Sequence, residues 1–301
     1  MSWAVWVTGL PGSGKSVLAR ALASRLATLG HSAVVLELDA IRKILTPSPT
    51  YTDAEREVVY RALVYMARTL TSSGVPVIID ATAHRRAWRD LARAAIPSLA
   101  EIQLVCALDV CLAREAERPK GNAPREIYAA AGQPGSTVPG VDVPYEPSLD
   151  PEVVVDTARA DIATAVAKIV PVVIKLAGLR PPRPRPYPGA GWAIWVTGRP
   201  GSGKTTLASG VADGLSALGL PIVLLDLVEV HDFVLGGRRG APWEDDILHR
   251  ALVAGAKLLT DAGIPVIIDA TAPRREWRRL ARDLIAHFAE VQLVCSPDIC
   301  A

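Results

Sequence analysis

Two glycine-rich segments carry residues whose types and spacing could bind a chain of phosphates. The first is Gly9-Leu10-Pro11-Gly12-Ser13-Gly14-Lys15-Ser16, and residues 198–205, GRPGSGKT, repeat its GxxxxGK[ST] pattern. Glycines let backbone N–H groups converge on phosphate oxygens, and the N-terminus of a following helix adds free donors and a favourable dipole. The lysine of this pattern reaches the β- and γ-phosphates, and the hydroxyl after it binds Mg²⁺. The sequence therefore predicts two sites for a nucleoside triphosphate.

The predicted nucleotide contacts follow directly from this pattern. In the first segment they are Gly9, Pro11, Gly12, Ser13, Gly14, Lys15 and Ser16, with Lys15 also catalytic and Ser16 a Mg²⁺ ligand. In the second they are Gly198, Gly201, Ser202, Gly203, Lys204 and Thr205, with Thr205 the Mg²⁺ ligand. A glycine-rich turn with a chance lysine is the alternative. Two copies in the same context argue against it.

Short apolar strands alternate with helices around the first segment. We expect strands at residues 4–8, 33–38, 75–80, 102–106 and 153–156, and a helix that begins near Thr52. Continuous apolar runs are typical of parallel strands that are buried on both faces. The predicted fold is α/β, a P-loop NTPase fold with a doubly wound five-stranded parallel sheet, followed by an incomplete second copy.

An internal repeat organises the chain. Lys15 recurs as Lys204, and residues 76–83, PVIIDATA, recur as residues 265–272, both 189 positions later. A constant offset this long indicates a tandem domain duplication rather than a solenoid. We predict a first domain at residues 1–178, a proline-rich linker at 179–190 and a truncated second domain at 191–301.

Composition limits the classes of partner. The chain has 301 residues, 50% of them hydrophobic, and a formal net charge of +2. A general nucleic-acid binder usually shows a larger basic excess. No uncharged apolar run approaches the roughly 18 residues of a membrane helix. We expect a cytoplasmic protein with a small-molecule acceptor and with neither membrane nor nucleic acid as a partner. A homo-oligomer is left open.

Polar residues follow the strand at 75–80 in both copies. Asp80 and its counterpart Asp269 end that strand beside the phosphate loop, where a carboxylate could bind Mg²⁺ through water or accept a proton. An aspartate that caps the following turn is the alternative. Of the arginines that come next, Arg85 and Arg89 are expected to be solvated, and Arg86 is predicted to bind an anionic substrate group.

Five further segments of copy one resemble the adenylylsulfate (APS) kinase family over about residues 3–157. They are LELDAIR at 36–42 (family LDGDNxR), YTDAER at 51–56 (FSEEDR), RPKG at 118–121 (DPKG), GVDVPYE at 140–146 (GIDSPYE) and PEVVVDT at 151–157 (PDLVIDT). The family transfers the γ-phosphate of ATP to the 3′-hydroxyl of APS, with Mg²⁺, and makes PAPS.

The resemblance implies roles for the residues that match. Asp39 would orient or deprotonate the acceptor hydroxyl, although Asp80 stays open as the base. Arginine forks suit phosphosulfate groups, so Arg42 and Arg56 would bind the acceptor, with Tyr51 stacked on its adenine. The remaining implied contacts are those of a lid over the phosphates: Arg114 and Arg118 on the nucleotide and Lys120 on the substrate.

Copy one departs from the family pattern at four positions of the acceptor site. Val138 replaces the second aromatic of the adenine clamp. Ala40, Val59 and Ala83 replace two asparagines and a serine. These changes leave kinase chemistry intact and concern the acceptor.

Copy two departs further from the family. Asp39, Arg42, Tyr51 and Arg56 are replaced there by Val228, His231, Gly240 and Asp245. His231 could be a new base, although a surface histidine is the simpler interpretation. We predict that copy two binds nucleotide but does not phosphorylate APS.

Two other functions stay open at this point. One is a P-loop kinase of another hydroxyl acceptor, such as a sugar, an antibiotic or a polynucleotide 5′ end. The other is a nucleotide-binding regulatory protein. The lid and acceptor motifs of copy one argue against regulation as the sole role.

Overall fold

The chain divides into two compact units, Met1–Pro182 and Arg183–Ala301. The structure is a computed structural model that describes residues 2–117, 127–133, 135–178, 190–237 and 240–296. Arg118, Lys120 and the predicted linker up to residue 189 lie outside the described residues. In the part that is described, no helix is both long and apolar enough to cross a membrane.

Strands and helices alternate along the first unit. In chain order they are β1 (Ala4–Thr8), α1 (Lys15–Thr28), β2 (Val34–Glu37), α2 (Leu38–Leu45), α3 (Asp53–Ser72), β3 (Val77–Asp80), α4 (Arg86–Ala95), β4 (Leu99–Val105), α5 (Leu108–Ala116), β5 (Val153–Asp156) and α6 (Ile162–Gly178). A short 3₁₀ helix, Ile127–Ala130, precedes the segment that leads to β5.

The first unit confirms the predicted doubly wound sheet. Its five parallel strands lie in the order β2-β3-β1-β4-β5. Val5 and Val7 of β1 pack into the core beneath α1 and α6, so the alternate residues Ala4 and Trp6 face the other side. All four side chains are fully buried. Both faces of the sheet are therefore covered, which explains the continuous apolar strands.

Over its described residues, the second unit repeats this arrangement with four strands. Its elements are β6 (Ala193–Gly198), α7 (Lys204–Ala217), β7 (Val223–Asp226), α8 (Leu227–Leu235), α9 (Pro242–Asp261), β8 (Val266–Asp269), α10 (Arg275–Leu284) and β9 (Phe288–Leu293). The parallel order β7-β8-β6-β9 matches the first four strands of unit one.

The helix after the phosphate loop is buried to different extents in the two units. Leu18 of α1 is 1% exposed, whereas its counterpart Leu207 of α7 is 37% exposed. In the first unit α6 packs along α1. Among the described residues of the second unit, no helix packs on α7 in that way. The cluster of buried apolar residues beneath α7 is correspondingly smaller than the one beneath α1.

One strand starts earlier than the sequence predicted, and one arginine is buried rather than solvated. Strand β4 begins at Leu99 instead of residue 102, because its pairing with β1 already starts at Ala4 and Leu99. Glu101, inside the added part of the strand, is 5% exposed and pairs with Arg89. The Arg89 Nε atom lies 2.6 Å from Glu101 Oε1. Since Arg89 is 1% exposed, the expectation of a solvated side chain is wrong there. Arg85 is partly exposed and pairs with Asp53.

Candidate active site

The phosphate loop of unit one has a backbone that only glycines can adopt. Gly9, Gly12 and Gly14 have φ values of 148°, 76° and 93°. A Cβ atom on Gly12 would lie 2.3 Å from the carbonyl oxygen of Cys111, so space excludes a side chain as well. No side chain caps the start of α1, which leaves the first-turn N–H groups available to an anion.

Three charged side chains converge where the loop meets the sheet. Lys15 Nζ donates to the carbonyl of Leu10 at 2.8 Å. Burial lowers the pKa of Lys15, and the carboxylates of Asp80 and Asp39 oppose that shift. Burial also raises the pKa of Asp80, against the pull of Lys15 and of a hydrogen bond from Ser16. The predicted catalytic residues Lys15, Asp39 and Asp80 therefore lie within electrostatic reach of one another.

A single cavity of about 930 Å³ joins the phosphate loop to two further groups of lining residues. One end is lined by Arg114, Thr157 and Ile162, near the start of α6. The other end is lined by Tyr51, Arg56, Thr137 and Val138, together with Arg42. Lys15, Ser16, Asp39 and Asp80 also line it. The phosphate loop therefore shares one cavity with both groups of residues.

The first end of the cavity is tied to the phosphate loop through β5. Arg114 Nη2 donates to the carbonyl of Thr157 at 2.7 Å. The Thr157 hydroxyl in turn donates to the carbonyl of Ser13 at 2.9 Å. The predicted nucleotide contact Arg114 thus lies at the cavity wall, on the end of the sheet that carries the loop.

Tyr51 stands at the other end in an unusual conformation. Its φ of 56° lies in the left-handed region, which costs a bulky residue about 1–2 kcal/mol. The guanidinium carbons of Arg42 and Arg56 lie 5.2 Å and 6.0 Å from the centre of its ring. Glu55 accepts a hydrogen bond from the Tyr51 N–H at 3.2 Å. Tertiary contacts therefore hold the ring at the cavity wall.

Arg56 connects three segments of the chain around this ring. Its Nε donates to the carbonyl of Tyr51 at 3.0 Å. Its Nη2 donates to the carbonyl and hydroxyl of Thr137 at 2.9 Å and 2.8 Å. Its Nη1 lies 3.4 Å from Nδ1 of His84. Most of its donors are therefore engaged within the protein, which makes Arg56 part of the wall of the acceptor region.

Arg86 is the one described residue of the predicted acceptor site that the fold does not bring to the cavity. It begins α4, and its Nε lies 3.7 Å from Asp90 one turn later. Its side chain does not line the cavity. The geometry gives no support to a substrate contact by Arg86, because the start of α4 directs it along the helix surface.

Of the four departures from the family pattern, one lies at the cavity wall. Val138 lines the cavity and is 6% exposed. Ala40, Val59 and Ala83 are not among its described lining residues, and Val59 and Ala83 are fully buried. The replaced clamp aromatic is therefore the departure that bears most directly on the acceptor.

The second phosphate loop matches the first in conformation. Gly198, Gly201 and Gly203 have φ values of 151°, 77° and 85°. Lys204 Nζ donates to the carbonyl of Arg199 at 2.8 Å, as Lys15 does to Leu10. Thr205 follows on α7, and Ser202 also keeps its place in the loop. The local scaffold for phosphate binding is present in both units.

The acceptor region of the second unit differs from that of the first. Val228, in place of Asp39, is 65% exposed. His231 is partly exposed, and its Nδ1 lies 3.3 Å from Asp232. Asp226 ends β7 and accepts the N–H of Val228 at 2.8 Å. The cationic wall of the first unit is absent from the counterpart positions, which carry His231 and Asp245.

Sequence reasoning missed Glu55, His84 and Thr137. Glu55 accepts hydrogen bonds from the N–H and hydroxyl of Thr50, both at 2.7 Å, and is 5% exposed. The pattern Thr52-x-x-Glu55 signals a capping box and could have drawn attention to it. Thr52 does accept the N–H of Glu55 at 3.3 Å. His84 and Thr137 carry no comparable signal.

A phosphate loop on a parallel sheet of order 2-3-1-4-5, with acidic side chains beside it and a two-ended cavity, defines a P-loop kinase. The family model for adenylylsulphate kinase matches residues 1–156 and 190–301. The chain belongs to the adenylylsulphate kinase family, whose members are ATP-dependent phosphotransferases.

Individual relatives agree with this assignment. A probable adenylyl-sulfate kinase from Archaeoglobus fulgidus is 37% identical over 164 residues, which cover 54% of this chain and 99% of the relative. An adenylyl-sulfate kinase from Rippkaea orientalis is 34% identical over 55% of this chain and 87% of its own. The solved APS kinase of Mycobacterium tuberculosis, in complex with AMPPNP and APS, is 27% identical, with a TM-score of 0.51. The match covers 57% of this chain and 97% of that structure's chain.

Proposed function

We propose that the first unit transfers the γ-phosphate of ATP to the 3′-hydroxyl of adenylylsulfate and releases PAPS and ADP. The main structural support is the single cavity, in which the phosphate loop lies between two groups of lining residues. The family relatives named adenylyl-sulfate kinase support this choice of acceptor. So does the Mycobacterium tuberculosis structure, which holds APS together with AMPPNP.

The proposed reaction is a direct transfer between the two ligands. The acceptor 3′-oxygen forms a bond to the γ-phosphorus, and the bond from that phosphorus to the β,γ-bridging oxygen breaks. The acceptor proton passes to Asp39 of α2, which lines the cavity. Lys15 and the loop N–H groups neutralise charge on the phosphates. Positioning and charge neutralisation provide most of the catalysis in such reactions.

The residues beside the loop suit a magnesium ion. Asp80 is a buried carboxylate that hydrogen-bonds Ser16, so a hydroxyl and a carboxylate oxygen adjoin the phosphate site. Among the described residues no three His, Cys, Asp or Glu side chains form a metal cage. Magnesium in kinases is held largely by phosphates and water, so no such cage is needed. When bound, it neutralises developing charge between the β- and γ-phosphates.

The acceptor lies against Tyr51 in this proposal. Its adenine stacks on the Tyr51 ring, and its phosphosulfate faces Arg42 and Arg56. Both arginines line the cavity beside that ring. Because Arg56 has internal partners for most of its donors, we assign it chiefly to the wall and to electrostatic attraction of the anion.

We assign the second unit to nucleotide binding without phosphorylation of adenylylsulfate. Its loop keeps the conformation and the lysine contact of the first. Its acceptor region lacks the counterparts of Asp39, Arg42 and Tyr51. An Asp245 in the place of Arg56 repels an anionic acceptor rather than attracting it.

Val138 favours one specific alternative, a kinase of another hydroxyl acceptor. Without the second aromatic, the acceptor end offers stacking on one side only. A coupled assay of ADP release separates the two functions, with adenylylsulfate, sugars and 5′-hydroxyl oligonucleotides offered in turn. Turnover that depends on adenylylsulfate supports our proposal. Turnover with a sugar or an oligonucleotide instead supports the alternative. Nucleotide binding without turnover with any acceptor would favour a regulatory protein.

A further inference from the structure

His84 lies at the back of the acceptor region, where no role has been assigned to it. It follows β3 in the loop that leads to α4 and is 3% exposed. Its ring packs edge-on against Trp88, with the ring centres 5.0 Å apart. Its Nδ1 atom lies 3.4 Å from Nη1 of Arg56, and its backbone carbonyl accepts the N–H of Glu146 at 2.8 Å. Both the ring and the backbone are thus fixed.

The partner of Nδ1 determines which tautomer the imidazole adopts. A guanidinium group carries five N–H donors and no acceptor. Arg56 must therefore donate, and Nδ1 must accept with an unprotonated lone pair. The neutral ring then carries its proton on Nε2. A protonated ring would place two cations 3.4 Å apart and would lose the acceptor.

The contact with His84 fixes the end of Arg56 that faces away from Thr137. The other donors of Arg56 hold the carbonyl of Tyr51 and both oxygens of Thr137. Thr137 also donates to Tyr51 at 3.2 Å. The orientation of one guanidinium group therefore sets the separation of two segments that line the acceptor region.

We propose that His84 is a positioning residue of the acceptor site, which holds Arg56 as the clamp between Tyr51 and Thr137. This inference rests on the proposed function of the first unit for its effect on the acceptor. Its structural part, the acceptor role of Nδ1 and the placement of the two segments, is independent of the acceptor's identity.

The charges around His84 keep the ring neutral at working pH. Arg56 and Asp53 face it from α3, Arg85 follows it in the chain, and Glu146 approaches from the segment before β5. Burial, then the two arginines, lower the pKa of His84 to about 4, although Asp53 and Glu146 oppose them. The acceptor lone pair of Nδ1 is consequently available throughout the neutral range.

The second unit carries neither member of the pair. The counterpart of Arg56 is Asp245, and the counterpart of His84 is Pro273. The proline side chain has no hydrogen-bond acceptor, and the aspartate side chain has no N–H group that would need one. The contact between a histidine and an arginine is therefore confined to the first unit.

Kinetics with matched variants test the effect on the acceptor. His84→Asn keeps an acceptor oxygen near the Nδ1 position, and His84→Leu removes it. We expect His84→Leu to raise KM for adenylylsulfate about tenfold, as for a lost hydrogen bond to a charged group, with KM for ATP unchanged. His84→Asn should restore most of that loss. The exposed His287→Asn is the control and should match the wild type.

Nuclear magnetic resonance of the full chain tests the structural part without any acceptor. The imidazole ¹⁵N shifts of His84 should show an unprotonated Nδ1 and a protonated Nε2 at pH 7. The amide signals of Tyr51 and Thr137 should shift in His84→Leu and stay close to wild type in His84→Asn. A protonated Nδ1, or unmoved amides in His84→Leu, overturns the inference. Absence of adenylylsulfate turnover in the wild type overturns the proposed function instead.

Discussion

Arg42 Nη1 and Glu55 Oε1 lie 3.2 Å apart in an ion pair whose side chains are 9% and 6% exposed. The same carboxylate accepts hydrogen bonds from Thr50 and from the N–H of Tyr51. Glu55 therefore links α2, α3 and the segment that holds Tyr51 in its left-handed conformation. Breaking a buried pair by removal of one charge is costly, since the other charge is left uncompensated.

The first prediction concerns this carboxylate. Glu55→Gln should lower the free energy of unfolding of the first unit by about 3 kcal/mol, because Arg42 loses its buried partner. It should also raise KM for adenylylsulfate, since Tyr51 and Arg42 both shift. Amide hydrogen exchange of β1 and β3, read by mass spectrometry, reports the stability of this unit separately. The matched control is Glu244→Gln at the counterpart position of the second unit, which should leave β1 and β3 unaffected.

An aromatic side chain at position 138 would restore the missing side of the adenine clamp. Val138→Phe should lower KM for adenylylsulfate about tenfold, because base stacking on an aromatic ring contributes about 1–3 kcal/mol. Val141→Phe, at a position that is 47% exposed outside the cavity lining, should leave KM unchanged. Steady-state kinetics with both variants would measure the effect. An unchanged or higher KM in Val138→Phe would place the acceptor base elsewhere.

The buried His84 should make the first unit less stable in acid. Its pKa is lowered to about 4 in the folded unit, whereas an unfolded chain has about 6.5. Between these values the unfolded state binds a proton that the folded state does not. Stability from this group is therefore complete above pH 6.5 and falls by up to about 3 kcal/mol as pH drops to 4. His84→Asn should flatten this slope in β1 and β3 hydrogen exchange, and His287→Asn should not.

The unequal burial of the two helices after the phosphate loops gives a stability prediction. Leu26 of α1 is fully buried under α6, whereas its counterpart Leu215 of α7 is only partly buried. Leu26→Ala should destabilise the first unit by about 2–5 kcal/mol. Leu215→Ala should cost the second unit less than half of that. Hydrogen exchange of each unit measures its loss of unfolding free energy. Equal losses in the two units would contradict the difference in packing.

Local patterns predicted the scaffold because its causes are local. The glycines of the loop, the apolar strand Ala4–Thr8 and the Thr52 helix start each depend on a few adjacent residues, and all are found where predicted. Strand β4 was placed three residues too late, and the residues that it gains at its start include the charged Glu101. Its burial depends on Arg89, a neighbour in space from a different helix.

The acceptor region was harder to predict from local sequence, because its geometry depends on contacts between distant segments. Tyr51, Arg42 and Arg56 were found through a family resemblance, and the structure brings them to one cavity. The hydrogen bonds that hold Tyr51 and Arg56 come from segments up to 86 positions away, so no sequence window contains them. Arg86 shows the opposite case. A basic residue near the site suggested binding, but the start of α4 directs it to Asp90.

The two phosphate loops share one pattern but are expected to have different roles, with catalysis in the first unit only. The most direct measurement is ADP release dependent on adenylylsulfate by the full chain and by two matched variants, Lys15→Ala and Lys204→Ala. We expect the wild type to turn over and Lys204→Ala to keep the wild-type rate. Lys15→Ala should lose at least 99% of that rate, on the order of the hundredfold or greater losses seen when a transition-state donor is removed. Full activity in Lys15→Ala, or loss of turnover in Lys204→Ala alone, would contradict catalysis by the first unit.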